Sequence, residues 1–284
     1  MFEWTPVNAR SHFRQRTILL AVLLALILCA FPAAHTLSSA ATNVNQTQPR
    51  NTMRPKVPAA VAKEQVMPFR VGETLTYHVS WSVFSNAASL QLSVPEKRDM
   101  FGWHTWHFRA VAHTLATVRT LFSIDDQFDS YTDAMSLESR QFETHLNELG
   151  KTTDQVQDLV ATGQKSRAPG PIVMVMPGSR DALGVLYELR AVDWQHTPEF
   201  RAAVYDGRDM YEMRAAPAAG GETVRVEAGT FLAQSISVRV FQYQKEVPTI
   251  QFTMWIATDA ARTPVAMEAA LPFGTLRAEL TSSQ

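Results

Sequence analysis

From residue 69 onward the sequence predicts a mainly β domain. The expected form is a large antiparallel curved sheet or open β-barrel with one principal α-helix, after an N-terminal signal or anchor helix. Three observations carry this expectation. Apolar and polar residues alternate with period two through most of the chain after Phe69, as strands with one buried and one wet face require. Only the stretch 179–192 places apolar residues at three-four spacing. Turn pairs containing glycine separate the alternating runs.

Composition agrees with a packed domain. The chain has 284 residues, 46% hydrophobic and 19% charged, with 15 Phe and 6 Trp, so wholesale disorder is excluded. A formal charge of −1 gives no electrostatic case for nucleic acid as a partner.

The N-terminal element comes first. Arg10, Arg14 and Arg16 precede an uncharged apolar run over 17–31, Pro32 ends it, and Ser38, Ser39, Ala40 and Ala41 follow. A positive region, a short apolar core and small residues at a cut site are the parts of a secretory signal. Residues 1–41 are therefore expected to be a signal peptide cut after Ala41 or, left uncut, a signal anchor extended to Leu37. Either way the arginines stay in the cytoplasm and the rest is exported, to the periplasm or the outer face of the membrane. Cys29 is the only cysteine and lies in the apolar run, so no intramolecular disulfide is available. Leu28 stands where a lipid-attachment signal needs a small residue. Residues 42–68, punctuated by Pro49, Pro55, Pro58 and Pro68, read as an extended tether, and 69–284 as the β-rich domain.

In that domain Leu75, Tyr77, Val79, Trp81 and Val83 alternate with Thr74, Thr76, His78, Ser80 and Ser82. Ala88, Leu90, Leu92 and Val94 form the next such row, and Ile250, Phe252, Met254 and Ile256 a late one. Weaker alternation marks 103–115, 124–132, 137–148, 152–160, 200–206, 209–215, 222–227, 231–243, 264–271 and 274–281. Asp206-Gly207, Gly220-Gly221, Ala228-Gly229 and Phe273-Gly274 are the turn signals. The helix is read from Leu183, Leu186, Tyr187 and Arg190, widened by Val185 and Leu189. Pro177-Gly178 stops the strand before it, Ser179 is its expected cap, and Asp181 complements its positive end. A single curled sheet and two stacked sheets both satisfy this pattern.

Chemistry is sparse. The sequence contains no G-x-S-x-G, H-E-x-x-H, phosphate-binding glycine loop or C-x-x-C, so no catalytic set, metal set or cofactor is expected. His104 and His107, three apart on a strand, point to opposite faces. Asp125, Asp126, Asp129 and Asp133 lack the glycine of a calcium loop and read as solvated strand ends. Asp126 is the exception, because it shares a face with Ile124 and Phe128 and needs a cationic partner there. Arg190 and Arg262 are expected to meet carboxylates or carbonyls, with Asp126 and Asp259 as the candidate acids.

Several phrases of the sequence resemble one family. Gly72-Glu73-Thr74-Leu75-Thr76-Tyr77 with Val79-Ser80-Trp81 resembles the opening strand of the bacterial domain-of-unknown-function 3108 family. Asp126-Gln127-Phe128-Asp129-Ser130-Tyr131 is similar to its acidic-aromatic strand, and Asp181-Ala182-Leu183 with Leu186-Tyr187-Glu188-Leu189-Arg190 to its helix. Ala228-Gly229-Thr230-Phe231, then Trp255-Ile256 with Asp259, Arg262 and Pro264-Val265, then Phe273-Gly274 with Ala278-Glu279-Leu280, follow in the family's order. Asn86-Ala87-Ala88 departs from it where a glycine is expected. The resemblance implies an exported, β-rich envelope protein with no assigned enzyme activity.

Three functional expectations follow. The first is a non-enzymatic binding module whose barrel, lined by Trp81, Phe108, Phe128, Phe252 and Met254, holds an apolar or amphipathic ligand such as a lipid or glycolipid. The second is an envelope assembly or scaffold protein that recognises another protein. The third is a hydrolase using Asp126 or Asp259 with a neighbouring arginine, for which spacing assembles no acid, base and nucleophile. Membrane contact is expected only through an uncut N-terminal segment.

Overall fold

The computed structural model describes residues 66–165, 171–271 and 274–284. The signal or anchor at 1–41 with Cys29, the tether up to residue 65 and Phe273 of the last turn signal lie outside the described residues. No helix among the described residues is long and apolar enough to cross a membrane.

The elements are β1 (Thr74–Trp81), β2 (Phe84–Met100), β3 (Trp103–Thr114), α1 (Ala116–Leu121), β4 (Asp125–Asp133), β5 (Ser139–Glu148), β6 (Lys151–Ala161), β7 (Ile172–Val175) and β8 (Arg180–Asp181). They continue as α2 (Ala182–Ala191), β9 (Phe200–Tyr205), β10 (Met210–Pro217), β11 (Glu222–Val226), β12 (Gly229–Gln242), β13 (Lys245–Ala257), β14 (Pro264–Leu271) and β15 (Gly274–Ser283). All 15 described strands join one sheet in the order β7-β6-β5-β4-β3-β2-β1-β15-β14-β13-β12-β10-β9-β8, with β11 beside β12. A single sheet, not two stacked ones, is what the alternation builds.

The sheet is mixed rather than wholly antiparallel. β6 with β7 and β8 with β9 are parallel pairs. The reason is the connections: α2 is the crossover between β8 and β9, and parallel neighbours need such a crossover where antiparallel ones need only a tight turn. The two edge strands, β7 and β8, are consecutive in the chain, so the short connection 176–179 draws the edges of the sheet toward each other. Across the gap Gln157 of β6 donates to the Gly207 carbonyl of the β9–β10 hairpin at 3.0 Å. The result is barrel-like but not closed.

Helix α2 fills the curl. Every residue from Ala182 to Leu189 except Glu188 is buried, and so is Arg190. A helix apolar on all sides belongs inside a core. Tyr187 stacks on Phe108 of β3 with ring centres 3.9 Å apart. Phe69 packs edge-on against Trp106, Phe108 and Tyr187 at 5.0, 5.2 and 5.3 Å. The cap differs from the expected one. Asp181, not Ser179, receives the first-turn amide, from Gly184 at 2.8 Å, while the Ser179 hydroxyl turns back to the Met176 carbonyl at 2.6 Å. Asp181 also takes the hydroxyls of Ser130 and Ser139 at 2.5 and 2.6 Å, which fasten the helix start to β4 and β5.

Candidate functional site

The C-terminal end of α2 places three of the singled-out residues together. Arg190 is 1% exposed and each nitrogen of its planar fork is engaged. It donates to Glu73 Oε1 and Oε2 at 2.6 and 3.1 Å, to the Ala261 carbonyl at 3.1 Å and to the Arg262 carbonyl at 3.2 Å. Arginine suits this place because its donors lie in one plane and match a carboxylate with two bonds. Arg262, in the turn before β14, has a φ of 44° and sends Nη1 to the Ala191 and Val192 carbonyls at 2.8 and 3.1 Å. It therefore caps the orphan carbonyls and the negative end of the helix. Asp259 shapes the same turn, its Oδ1 accepting the amides of Ala261 and Arg262 at 3.1 and 3.0 Å. Trp194 closes the corner by donating to the Leu189 carbonyl at 2.9 Å.

Around this floor, burial pushes the Tyr77 and Tyr187 phenols well above their ordinary range, against the pull of the Arg190 charge. Tyr77 donates to the Pro264 carbonyl at 2.8 Å. Above the floor opens a cleft of about 490 Å³ lined by Met67, Pro68, Trp194, Gln234, Ile256, Asp259 and Arg262, among others. Asp259 and Arg262 commit their bonds to backbone. The cleft thus offers shape, apolar surface and a polar rim rather than a paired acid and base.

Asp126 is not part of this arrangement, and its expected cationic partner is absent among the described residues. It lies on the inner face of β4, 2% exposed, with Oδ1 accepting the Asn147 amide at 2.9 Å and a buried Oδ2 that meets no donor. Burial, helped by the neighbouring Asp125 charge, pushes its carboxyl up to about 6. Protonation relieves the buried charge where no cation does. Arg190 meets Glu73 instead of Asp126 or Asp259. Among the interior candidates Phe108, Phe128, Phe252 and Met254 are buried, whereas Trp81 sits half-buried at the rim beside Phe84 and Phe122.

The acidic cluster is a further correction, because Asp129 and Asp133 are buried rather than solvated strand ends. Asp133 binds the Met135 and Ser136 amides at 2.9 and 3.0 Å and Arg140 at 3.1 Å. Asp125 is held by both Nη atoms of Arg119 at 2.8 Å, and this pairing, against the opposing effect of burial, draws its carboxyl down to about 2. Asp129, on the outer face, accepts His107 Nε2 at 2.5 Å and Arg109 Nε at 2.7 Å on Oδ1, and Gln127 Nε2 at 2.7 Å on Oδ2. Burial acts to raise its carboxyl, but these three bonds outweigh that and hold it below the usual range. His107 stacks on Tyr131 at 4.5 Å, and His104 points away to Asp99 at 2.7 Å, so the two histidines share no site. Glu143 and His145 of β5 converge on Asp129 from the next strand.

Glu73, Glu143 and His145 were not singled out by pattern. Glu73 lies 117 residues from its arginine, and Glu143 and His145 alternate with Phe142, Thr144 and Leu146 as ordinary outward residues do.

Comparison with known proteins places the chain. The family model described as "Protein of unknown function (DUF3108)" matches residues 76–281. Among curated proteins none matches. Three solved structures are similar in shape. A β-barrel-like protein of the domain of unknown function DUF1849 from Brucella abortus is 11% identical at TM-score 0.47, over 77% of this chain and 98% of that one. A lipoprotein candidate from Parabacteroides distasonis is 9% identical at TM-score 0.37, over 77% and 97%. A protein of YmcC-like fold from Bacteroides fragilis is 10% identical at TM-score 0.29, over 77% and 98%.

Proposed function

The chain belongs to the DUF3108 family, and from that premise and the cleft at the end of α2 we propose that it is an exported, non-enzymatic binding module for an apolar or amphipathic envelope ligand. The export half of this reading rests on the arginines and apolar run before Pro32. The cleft carries the binding half. At about 490 Å³ it lies within the range of small-ligand sites. Met67, Pro68, Trp194 and Ile256 supply apolar wall, and Gln234 and Asp259 supply the polar rim that orients an amphipathic molecule. Because α2 occupies the curl, the reading puts the proposed ligand at the mouth of the barrel-like sheet and not along its axis. Arg190, paired with Glu73, ties the end of α2 to the turn that carries Arg262 of the cleft.

The test is extraction of the purified full-length chain, with mass spectrometry of what comes off. The expected result is one lipid class near one molecule per chain, lost in Ala260→Trp, which fills the cleft from an exposed turn position. A chain that yields no ligand, or one whose ligand content is unchanged by Ala260→Trp, overturns the reading.

One observation favours the second reading, an assembly protein that recognises another protein. Edge strand β7 turns Ile172 and Met174 outward, about half exposed at 54% and 53%, and Met176 continues the row. An edge with an apolar row is what strand addition by a partner uses.

A further inference from the structure

We propose that Asp129, Glu143 and His145 form a binding site for a divalent transition-metal ion on the outer face of the sheet. Antiparallel register builds it. Asp129 of β4 stands opposite Glu143 of β5, Gln127 opposite His145, and His145 opposite Asp154 of β6. Steps of two along β4 and β5 keep these side chains on one face. One donor atom from each of Asp129, Glu143 and His145 lies within 4.8 Å of the other two. Ligand bonds of roughly 2.0–2.2 Å to one ion need only small side-chain rotations from that spacing.

Charge favours a cation here. Arg109 offsets Asp129, and Arg98 lies 3.3 Å from Glu96, but Glu143 directly opposes Asp129 across the ladder. Like charges placed opposite each other destabilise a sheet. The atom facing Glu143 is His145 Nε2, at 3.7 Å, and the other ring nitrogen is engaged 3.0 Å from Asp154 Oδ1. With the Nδ1 proton donated to Asp154, Nε2 presents a lone pair toward the carboxylates, the carboxylate–histidine–metal order of bound imidazoles.

The surroundings fit the same reading. Asp129 is buried and its Oδ1 is fixed by His107 and Arg109, so Oδ2 is a pre-set ligand atom. Oδ2 now takes the Gln127 amide at 2.7 Å. Half a turn of that amide would place its oxygen there as a fourth ligand. The Glu143 and His145 side chains are 20% and 40% exposed, which leaves an entry path and room for water. One imidazole nitrogen with carboxylate oxygens suits Zn²⁺ or Mn²⁺, whereas Ca²⁺ wants six or more oxygens. The ion would clip β4 to β5 and, through Asp154, to β6.

The test uses the full-length chain without a histidine tag, stripped with chelator and titrated calorimetrically with Zn²⁺ and separately with Mn²⁺. One ion per chain and a raised melting temperature are expected for at least one metal. Glu143→Gln and His145→Gln should each weaken binding at least about tenfold, and Asp154→Asn by about 10–100-fold, as loss of an outer partner does. His196→Ala, which removes another exposed histidine beside a carboxylate, should change nothing. Circular dichroism verifies that each variant is folded, and the isosteric Glu143→Gln decides if His145→Gln is not. Absence of binding by both metals at millimolar concentration overturns the proposal. So does binding that neither Glu143→Gln nor His145→Gln weakens.

Discussion

At the scale of single residues, the inner face of β4 carries an uncompensated acid. Asp126 and Asp206 both have carboxyls pushed up to about 6, first of all by burial, from an ordinary value of 3.8. The sign follows from proton binding. Between about pH 4 and pH 6 the folded chain holds protons on these groups that the unfolded chain has released, so stability falls as pH rises. Each group then accounts for about 3 kcal/mol, since every tenfold change in proton affinity is worth about 1.4 kcal/mol. Asp181 and Glu188, also raised by burial, add to the slope. Asp125, Asp129 and Asp133 are held low, so their contribution is lost only below the ordinary 3.8. Asp126→Asn should therefore be nearly neutral at pH 4 and stabilising at pH 8, and it should make the fall in urea midpoint across that window shallower. A wild-type slope left intact by the substitution would show that Asp126 ionises freely. The alternation made Asp126 legible as an inward carboxylate, because Ile124 and Phe128 flank it at two-residue steps. It carried no information about which cation, if any, reached it across the sheet.

Among the elements, α2 was legible because its apolar residues recur at three-four spacing over several turns, and the long hairpins because alternation persists through them. The elements that escaped are short. α1 has 6 residues and β8 has 2, too few for a period to declare itself, and β7, the strand stopped by Pro177-Gly178, has only 4. Strand β2, at 17 residues, runs past the point where its alternation breaks, because a register shift between Ser93 and Glu96 changes which side chains face inward. The start of α2 shows how packing overrides propensity. Gly184 sits inside the helix, where glycine is disfavoured by about 1 kcal/mol relative to alanine. A Cβ there would lie 3.0 Å from Thr132 Cγ2 and 3.1 Å from Ser139 Oγ. Ser139 is one of the hydroxyls that hold Asp181, so displacing it disturbs the helix cap as well. Gly184→Ala should consequently destabilise the domain by about 1–3 kcal/mol, as overpacking does. Thermal unfolding measures this, and a raised melting temperature would mean that helix propensity outweighs the close approach.

For the whole molecule, the first and last strands pair with each other in the middle of the sheet, while its free edges come from mid-chain. β1 lies between β2 and β15, and Thr74 and Gln284 exchange backbone bonds at 3.1 and 2.9 Å. No local pattern announces such a pairing, because alternation reports which face a residue takes and not which strand lies beside it. Residues 69–73, ahead of β1, are part of the packed domain. Phe69 is buried against three aromatic rings, the Gly72 amide donates to the Val94 carbonyl at 2.8 Å, and Glu73 supplies the carboxylate of buried Arg190. A chain beginning at residue 66 should unfold cooperatively, whereas one beginning at Leu75 loses all of these. Removing Phe69 costs about 3–5 kcal/mol, by analogy with Phe→Ala in cores. Leaving Arg190 buried without its acid costs about another 3–5 kcal/mol. Against a usual total of about 5–15 kcal/mol, the two losses together remove a large share of the stability or all of it. It also leaves the Val94 amide and carbonyl of β2 without the Glu73 and Gly72 partners they have in the longer chain. Arg190→Leu separates the two causes: in the shorter chain it should restore part of the solubility, because it removes the unpaired charge but not the gap left by Phe69. Equal urea midpoints for chains starting at 66 and 75 would show that neither contact contributes to holding the sheet around α2.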